Sequence, residues 1–459
     1  MLQGVKHIHF IGVGGYGMSA LAFQALSKGL TVTGSDLKRN NLVQKLEPLG
    51  LKFFLGHNEG NLVDLQIDMV IFSTAIKMDN PELHYLRTKG VPSLSRGEAL
   101  GLFCAGKKTI AIAGTHGKTT TTSMISHILT HARFSPTVLV GGEMLLEDSN
   151  AIAGDSEWLV TEADESDASF LFLKPYISIV TNIEEDHMDF YKNKAEIIRN
   201  FEKYIFSTSD LSVLNFDDPA IFEKFSSLGK RVSFFSVKSE DADWFAGEIE
   251  FHEFSSSFRL FYQHAPVGQV NLIIPGQHNI QNALAAISAT SKAGVSLPVI
   301  IEALSTFKGV ARRIQLLADR NGIRVFDDYA HHPTEIKTVL TTLRKSYPAE
   351  NLIAVFQPHR FSRFTYFQKQ FPDALLPADQ IVVTGIYGAG EKNTENISSE
   401  ILIPILVEHG KTAIYSQNVE QQIFDFHHRL KRGDVIVALG AGSITYFATK
   451  LAELVNGSN

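Results

Sequence analysis

The segment from Gly114 to Thr120 has residue types and spacing that suit phosphate chemistry. It follows the apolar run 109–113 and places Lys118 and Thr119 directly after a glycine. In such a turn, backbone N–H groups can surround phosphate oxygens, the Lys118 ammonium can reach the β- and γ-phosphates, and the Thr119 hydroxyl can bind Mg²⁺. The loop is shorter than the general phosphate-loop pattern, because Ile112 stands where the first glycine of that pattern would be. The predicted ATP contacts of this loop are Gly114, Thr115, His116, Gly117, Lys118, Thr119 and Thr120.

Two groups of polar residues follow strand-like segments of the same region. Glu162 begins an acidic run, 162–167, directly after the apolar residues 158–160. A carboxylate at the end of a strand beside a phosphate loop suits Mg²⁺, because hard cations take oxygen ligands. The alternative interpretation of the run is a solvated loop. His187 lies in a later polar run and could ligate a second metal or orient water, or it could cap a helix or face solvent.

A glycine-rich turn, Gly12 to Gly17, follows the apolar run 7–11 and precedes a helical pattern. Glycines let the backbone approach a phosphate closely, and the N-terminus of the following helix favours an anion. Asp36 ends the next predicted strand, where a ribose-binding carboxylate is expected. NAD, FAD and other nucleotides all fit this pattern, and a glycine turn without a ligand stays possible.

Amides and histidines in the second half of the chain could bind the rest of a nucleotide. His278, Asn279 and Asn282 open a helical segment and suit hydrogen bonds to a base or a ribose. Helix capping is the alternative interpretation of Asn279. Asp327 or Asp328, after the predicted strand 324–326, could bind ribose hydroxyls.

A second substrate could meet histidine and arginine side chains further along the chain. His331 could face a substrate, and the side chain of the adjacent His332 must diverge from it, so a metal shared by the two is not expected. Arg360 and Arg363 are three residues apart and could converge on a carboxylate if the segment is helical. Solvated arginines are the alternative.

Apolar strands that alternate with helical patterns must position these groups, and they predict parallel βαβ units. Strand candidates restart near residue 107 and again near residue 312. The stretch 232–275 is an exception, because its short strands and lack of a helical pattern favour antiparallel pairing. We therefore expect an α/β fold of three domains, 1–105, 106–310 and 311–459, with clefts at the carboxyl ends of strands. The first and third domains are expected to be Rossmann-like, and the central domain ATPase-like with added antiparallel strands.

The composition is that of an ordinary globular protein. Of 459 residues, 44% are hydrophobic and 20% are charged, and the formal net charge of −7 comes without a long basic run. This argues against non-specific binding to nucleic acid or a membrane surface. The single cysteine, Cys104, excludes an intramolecular disulfide, and we expect a buried thiol rather than a nucleophile. We find no signal peptide and no apolar run of membrane-spanning length, and so expect a cytoplasmic protein.

Taken together, the motifs resemble those of the Mur ligases of peptidoglycan synthesis, and they occur in all three segments in that family's order. The first three point to the family, and the last three narrow the resemblance to its branch that adds L-alanine. The motifs are Gly-Thr-His-Gly-Lys-Thr-Thr at 114–120, Glu-Ala-Asp-Glu-Ser-Asp at 162–167, Gln-His-Asn-Ile-Gln-Asn at 277–282, Gly-Val-Gly-Gly-Tyr-Gly-Met-Ser at 12–19, Asp-Asp-Tyr-Ala-His-His-Pro-Thr-Glu at 327–335 and Phe-Gln-Pro-His-Arg-Phe-Ser-Arg at 356–363.

The resemblance implies an enzyme that uses ATP and two Mg²⁺ ions to join L-alanine to UDP-N-acetylmuramate through an acyl phosphate, as a monomer or homodimer. The implied catalytic residues are Lys118, Glu162, His187, Arg313 and His331. The implied metal ligands are Thr119, Glu162 and His187. His278, Asn279, Asn282 and Asp328 would complete the ATP site. The implied UDP-substrate contacts are Gly12, Gly14, Gly15, Gly17, Met18, Ser35, Asp36 and Ser73. The amino-acid side would be lined by Tyr329, His331, Arg360 and Arg363.

One departure from the family pattern agrees with the alanine-adding branch. Other Mur ligases carry a CO₂-modified lysine that holds the second metal, and Phe201 stands at that position here. A recycling ligase of the same family that adds a murein tripeptide is the nearest rival, but Gly14-Gly15-Tyr16 and Ser166 depart from its usual motifs. An NAD-dependent oxidoreductase would explain the first glycine turn alone, and a nucleotide-gated regulatory protein would leave the ligation chemistry unused.

Overall fold

Three β-sheets, one in each third of the chain, organise the computed structural model, which describes residues 4–144, 149–188 and 190–457. Each sheet carries helices on its faces, so the predicted α/β class with three such units is confirmed. The boundaries proposed from the sequence stay a prediction.

The first sheet is wholly parallel, with strand order β3-β2-β1-β4-β5. Its strands are β1 His7–Ile11, β2 Thr31–Asp36, β3 Lys52–Leu55, β4 Met69–Phe72 and β5 Ser93–Ser95. The helices of this segment are α1 Tyr16–Ser27, α2 Asn41–Leu46, α3 Pro81–Thr88 and α4 Arg96–Cys104. The order reverses beside β1, so the glycine turn after β1 lies where ligands bind in open α/β sheets.

The second sheet is the largest, with ten strands in the order β15-β14-β13-β12-β11-β10-β6-β9-β7-β8. Its strands are β6 Lys108–Ala113, β7 Thr137–Met144, β8 Ser149–Ile152, β9 Trp158–Glu162, β10 Ile177–Val180, β11 Leu211–Asn215, β12 Val232–Ser236, β13 Trp244–His252, β14 Ser255–Tyr262 and β15 Ala265–Leu272. The helices are α5 Lys118–His131, α6 Lys194–Phe206, α7 Pro219–Phe225, α8 Gln277–Lys292 and α9 Leu297–Ser305.

Antiparallel pairing in this sheet begins later than the sequence predicted. β12 pairs in parallel with both β11 and β13, and only β13, β14 and β15 form an antiparallel meander. The stretch from 232 was expected to be antiparallel as a whole. The connections that follow β11 and β12 decide the strand direction, and the strand pattern alone does not report it.

The third sheet has six strands in the order β16-β17-β21-β18-β19-β20, with only the β16–β17 pair antiparallel. Its strands are β16 Gln315–Arg320, β17 Ile323–Asp328, β18 Asn351–Phe356, β19 Gln380–Thr384, β20 Thr412–Ser416 and β21 Asp434–Leu439. The helices are α10 Pro333–Ser346, α11 Phe361–Phe367, α12 Phe371–Leu375, α13 Leu402–Glu408, α14 Ile423–Arg429 and α15 Ile444–Asn456.

Phe201 belongs to the core of the middle segment. Its ring is fully buried in α6 and lies edge-on to Phe170, which in turn stacks on Tyr204. Burying one such ring contributes roughly 1.5–3 kcal/mol. The aromatic cluster therefore uses, for packing, the position at which other family members are expected to carry a modified lysine.

Cys104 ends α4 as a buried thiol. Burial raises its pKa to about 12. No helix within the described ranges has both the length and the apolar character needed to cross a bilayer.

Candidate active site

The phosphate loop joins β6 to α5 and needs glycine at two points. Gly114 has φ +134°, and a Cβ there would lie 2.1 Å from Thr181 Oγ1. Gly117 has φ +83° and caps α5, and a Cβ there would lie 2.6 Å from Asn282 Oδ1. Asn182 accepts from His116 N at 2.8 Å and donates to His116 O at 3.0 Å. The loop is therefore held from the ends of neighbouring strands, with its backbone N–H groups at the start of α5.

Lys118 lies inside this loop and is already oriented. Its Nζ donates to Gly114 O at 2.5 Å and to Glu165 Oε1 at 2.7 Å. Burial alone would lower the pKa of Lys118, but the charge of Glu165 outweighs burial and the pKa is raised. Burial raises the pKa of Glu165 to about 7 against the opposing effect of Lys118.

Glu162, at the end of β9, faces the start of α5. Burial raises the pKa of Glu162, and a hydrogen bond with Thr119 opposes that rise. Its Oε1 is buried without a hydrogen-bond partner, and a Cβ at Gly141 would lie 2.6 Å from its Oε2. A hydroxyl and an orphaned carboxylate oxygen form a donor set that fits Mg²⁺.

His187 follows the next strand and lies near the same carboxylates. Its Nε2 is 3.6 Å from Asp186 Oδ2 and 4.0 Å from Glu165 Oε1. The backbone of His187 has φ +54°, a strained value for a non-glycine residue. Burial lowers its pKa, so the ring keeps a lone pair that could bind a metal.

A cavity of about 310 Å³ lies between the second and third sheets. It brings together residues of the phosphate loop, the start of α8 and the third segment. The residues predicted for ATP or catalysis that line this cavity are His116, Gly117, Thr119, Thr120, His278, Asn279, Asn282, Arg313 and Asp328. His278 Nδ1 is buried without a partner, and burial lowers its pKa to about 4, so the ring is neutral.

The third segment supplies Asp328 and Arg313 to this cavity. Asp328 ends β17 and accepts from Ile314 N at 2.6 Å and from Ala330 N at 2.7 Å. Burial raises its pKa to about 6. Arg313 lies between two residues with positive φ, Arg312 at +58° and Ile314 at +46°. Strain on both sides of Arg313 means that the surrounding contacts, and not local preference, set its direction. Asp327, the other candidate for a ribose, instead accepts from Thr445 Oγ1 at 2.6 Å.

The side chains of His331 and His332 diverge, as expected. His331 Nδ1 is 2.9 Å from Tyr329 O, and the His331 ring packs edge-on against Tyr329 and His359. Burial lowers the pKa of His331 to about 3. His332 Nε2 points the other way, 3.3 Å from Glu185 O.

The two arginines expected on the amino-acid side do not share a helix face. Arg360 precedes α11 with φ +64°, so the condition that both be helical fails. Arg363 lies in α11 and is bidentate to Asp186, with Nη2 at 2.8 Å from Oδ1 and 3.1 Å from Oδ2. This ion pair joins the second and third segments directly beside His187.

His116, Glu184 and His332 place possible ligand atoms within 4.8 Å of one another. His116 Nδ1 is 3.2 Å from Glu335 and its Nε2 is 3.6 Å from Glu184. Burial alone would lower the pKa of His116, but the two carboxylates raise it to about 9. An imidazolium has no lone pair for a metal, and we interpret the group as ion pairs that link two domains.

The glycine turn of the first segment is held by its own neighbours. Gly14 N donates to Asp36 Oδ2 at 2.9 Å, and Gly12 N donates to Ser35 O at 2.8 Å. The Ser35 hydroxyl is buried and donates to Glu82. A Cβ at Gly12 would lie 3.1 Å from the Cβ of Ser73. Gly15 caps α1, whose first residues include Gly17 and Met18. Contact of all these residues with a UDP-substrate stays a prediction.

Three carboxylates at the site were missing from the predicted residues. Glu165 binds Lys118, Asp186 binds Arg363, and Glu335 contacts His116. Glu165 and Glu335 stand inside the quoted motifs, so their presence was visible and only their partners were not. Asp186 gives no signal in the sequence, because its partner is 177 residues away.

The fold and the site define a class of nucleotide-binding protein in which a phosphate loop at one sheet faces an arginine and a histidine from another. Three family models match the chain in succession: the Mur ligase family catalytic domain at 7–108, the Mur ligase middle domain at 112–290 and the Mur ligase glutamate ligase domain at 312–442. The chain belongs to the Mur ligase family.

Relatives and solved structures agree with this assignment. The UDP-N-acetylmuramate–L-alanine ligase of Carboxydothermus hydrogenoformans is 40% identical over 97% of this chain and 96% of its own length. The enzyme of the same name from Aquifex aeolicus is 39% identical over 98% of both chains.

Two solved structures cover nearly the whole molecule. The UDP-N-acetylmuramate-alanine ligase MurC of Thermotoga maritima superposes with a TM-score of 0.84 at 32% identity, covering 99% of this chain and 100% of that one. A murein peptide ligase from Psychrobacter arcticus superposes with a TM-score of 0.72 at 26% identity, covering 99% of both chains.

Proposed function

We propose that the protein is an ATP-dependent ligase that joins L-alanine to UDP-N-acetylmuramate and releases ADP and phosphate, in peptidoglycan precursor synthesis. The observation that carries the proposal is the cleft between the second and third sheets, where Lys118 and Glu162 of one segment face Arg313 and His331 of another. Full-length relatives at about 40% identity that bear this activity in their names support the choice of substrates.

In the first step, a carboxylate oxygen of the muramate attacks the γ-phosphorus of ATP, ADP leaves, and an acyl phosphate forms. Lys118 neutralises phosphate charge from the loop, and Arg313 does so from the third segment. Thr119 and Glu162 would hold Mg²⁺, and His187 would help to hold a second ion. When bound, these ions supply charge neutralisation on the transferred phosphoryl group.

In the second step, the amine of L-alanine attacks the acyl carbon, and phosphate leaves with the bridging oxygen. His331 is neutral and its Nδ1 faces the Tyr329 carbonyl, so its Nε2 is left as an acceptor for a hydrogen of the amine. Arg363 provides the guanidinium for the amino-acid carboxylate, with Arg360 and Tyr329 beside it. Closure of the cleft keeps water from the acyl phosphate.

The murein tripeptide ligation is the second candidate, because a murein peptide ligase superposes over nearly the whole chain. The Thermotoga maritima enzyme has the higher TM-score and identity, and this favours L-alanine. Phosphate release from ATP should be measured with Mg²⁺, UDP-N-acetylmuramate and each amino acid or peptide in turn. Release that requires L-alanine, with UDP-N-acetylmuramoyl-L-alanine identified by mass, is expected. Release only with the tripeptide would favour the second candidate.

A further inference from the structure

The two carboxylate oxygens of Glu335 face different parts of the molecule. Glu335 is the third residue of α10, and its Oε2 accepts from His331 N at 3.1 Å and from His332 N at 3.3 Å. Its Oε1 lies 3.2 Å from His116 Nδ1 and 3.5 Å from Arg313 Nη1. One buried carboxylate thus contacts the phosphate loop, the arginine of the third segment and the start of α10.

The contact with the phosphate loop crosses from the second segment to the third. His116 lies at the centre of the loop, and its backbone is fixed by Asn182 and Thr181. Its ring lies 4.9 Å from the ring of His332, which belongs to the α10 side. The direction of the His116 ring is therefore linked to the position of α10.

The contact with the start of α10 reaches the amino-acid side. Glu335 Oε2 is also 3.4 Å from His331 Nδ1, the atom that faces the Tyr329 carbonyl. A carboxylate beside an imidazole N–H fixes both the tautomer and the orientation of the ring. Glu335 therefore favours the form of His331 in which Nε2 is the free acceptor.

We propose that Glu335 is a positioning residue that couples the phosphate loop, through His116, to Arg313 and to His331 on the amino-acid side. The proposal rests on the proposed ligase function for the meaning of those two sites. The coupling itself is a property of contacts between His116 and α10.

A double-mutant cycle with Glu335→Gln and His116→Gln tests the coupling. Glu335→Gln is expected to lower kcat at least tenfold and raise KM for L-alanine, while the Kd for ADP changes less than threefold. In the His116→Gln background, the same substitution is expected to cost less than threefold in kcat. Equal costs in both backgrounds would overturn the proposal.

Glu98→Gln is the matched control, because Glu98 is also the third residue of its helix and forms a capping box with Ser95. Loss of a cap alone costs about 0.5–2 kcal/mol of stability. Both variants are expected to lower the unfolding midpoint, and only Glu335→Gln to lower kcat by tenfold. An equal loss of kcat in Glu98→Gln would contradict a role beyond capping.

Hydrogen exchange tests the same coupling without turnover, so it separates this proposal from the proposed function. His116→Gln changes no hydrogen bond of the α10 backbone, yet it is expected to speed exchange of the His331 and His332 amides at least threefold in the ADP-bound protein. Unchanged exchange would overturn the coupling. A wild-type protein that fails to ligate L-alanine but shows this exchange difference would overturn only the proposed function.

Discussion

At the scale of single residues, the site is a set of charges placed before any substrate arrives. Lys118 is shared between the Gly114 carbonyl and Glu165. Glu162 keeps a buried oxygen without a partner. Groups that are already oriented need not reorganise when charge develops on a phosphate, and this is the main source of electrostatic stabilisation in enzymes.

Lys118→Ala is expected to lower ligation by about three orders of magnitude, which corresponds to roughly 4 kcal/mol of transition-state stabilisation. The measurement is kcat/KM for phosphate release with all substrates present. Lys450→Ala, which removes an exposed lysine paired with Glu453 on α15, is the control and should stay within twofold of wild type. Near-normal turnover of Lys118→Ala would refute the assignment of the phosphate loop.

Cys104 is expected to resist thiol reagents in the folded protein. Its thiol is buried and its pKa is raised to about 12, so the reactive thiolate is scarce at neutral pH. Labelling with a maleimide at pH 7 should proceed at least a hundredfold faster after denaturation in guanidinium. Equal rates in the two states would show that the thiol is accessible.

The sequence could predict the residues that bind ligands through their own chemistry better than the residues that hold them. Lys118, Glu162 and Asp328 each follow a strand, and strand ends are readable from apolar runs. The partners of those residues are set by tertiary contacts. Arg363 shows this, because its pairing with Asp186 depends on how the second and third segments meet.

At the scale of elements, the phosphate loop depends on backbone conformations that only glycine adopts at low cost. Gly114 and Gly117 both have positive φ, and both lie against side chains from other elements. The predicted strand and helix on either side of the loop were confirmed as β6 and α5. The antiparallel meander was only partly predicted, because strand direction depends on how the chain crosses over between strands.

Gly117→Ala is expected to weaken ADP binding at least tenfold, because its Cβ would lie 2.6 Å from Asn282 Oδ1 at φ +83°. Gly229→Ala is the matched control, since Gly229 has φ +70° and no atom within 4 Å of an added Cβ. Both variants carry backbone strain of about 1 kcal/mol. Only Gly117→Ala should change the Kd for ADP in calorimetry, and an equal change in both would mean that strain alone explains the effect.

At the scale of the whole molecule, charged contacts join the second and third segments around the cleft. Arg363 pairs with Asp186, and Thr334 Oγ1 donates to Glu184 at 2.6 Å. His116 faces Glu184, Glu335 and His332. These contacts give the third segment a defined seat over the phosphate loop.

The contribution of His116 to stability is expected to depend on pH. Burial opposes its charged form, but Glu184 and Glu335 outweigh burial and raise its pKa from 6.5 to about 9 in the folded protein. A group with a raised folded pKa stabilises fully below its unfolded pKa, and the effect is lost as pH rises through the folded value. The unfolding midpoint of wild type should therefore exceed that of His116→Gln at pH 6, and the difference should shrink by pH 9.5. A constant difference would contradict a charged His116.

The most direct test of the proposed ligation follows oxygen from the muramate carboxylate. UDP-N-acetylmuramate labelled with ¹⁸O at both carboxylate oxygens should be incubated with ATP, Mg²⁺ and L-alanine, and the products analysed by mass. The proposed acyl phosphate predicts one ¹⁸O in the released phosphate and one in UDP-N-acetylmuramoyl-L-alanine, because phosphate leaves with the oxygen that attacked ATP. Phosphate without ¹⁸O, or label in AMP, would contradict the proposed reaction.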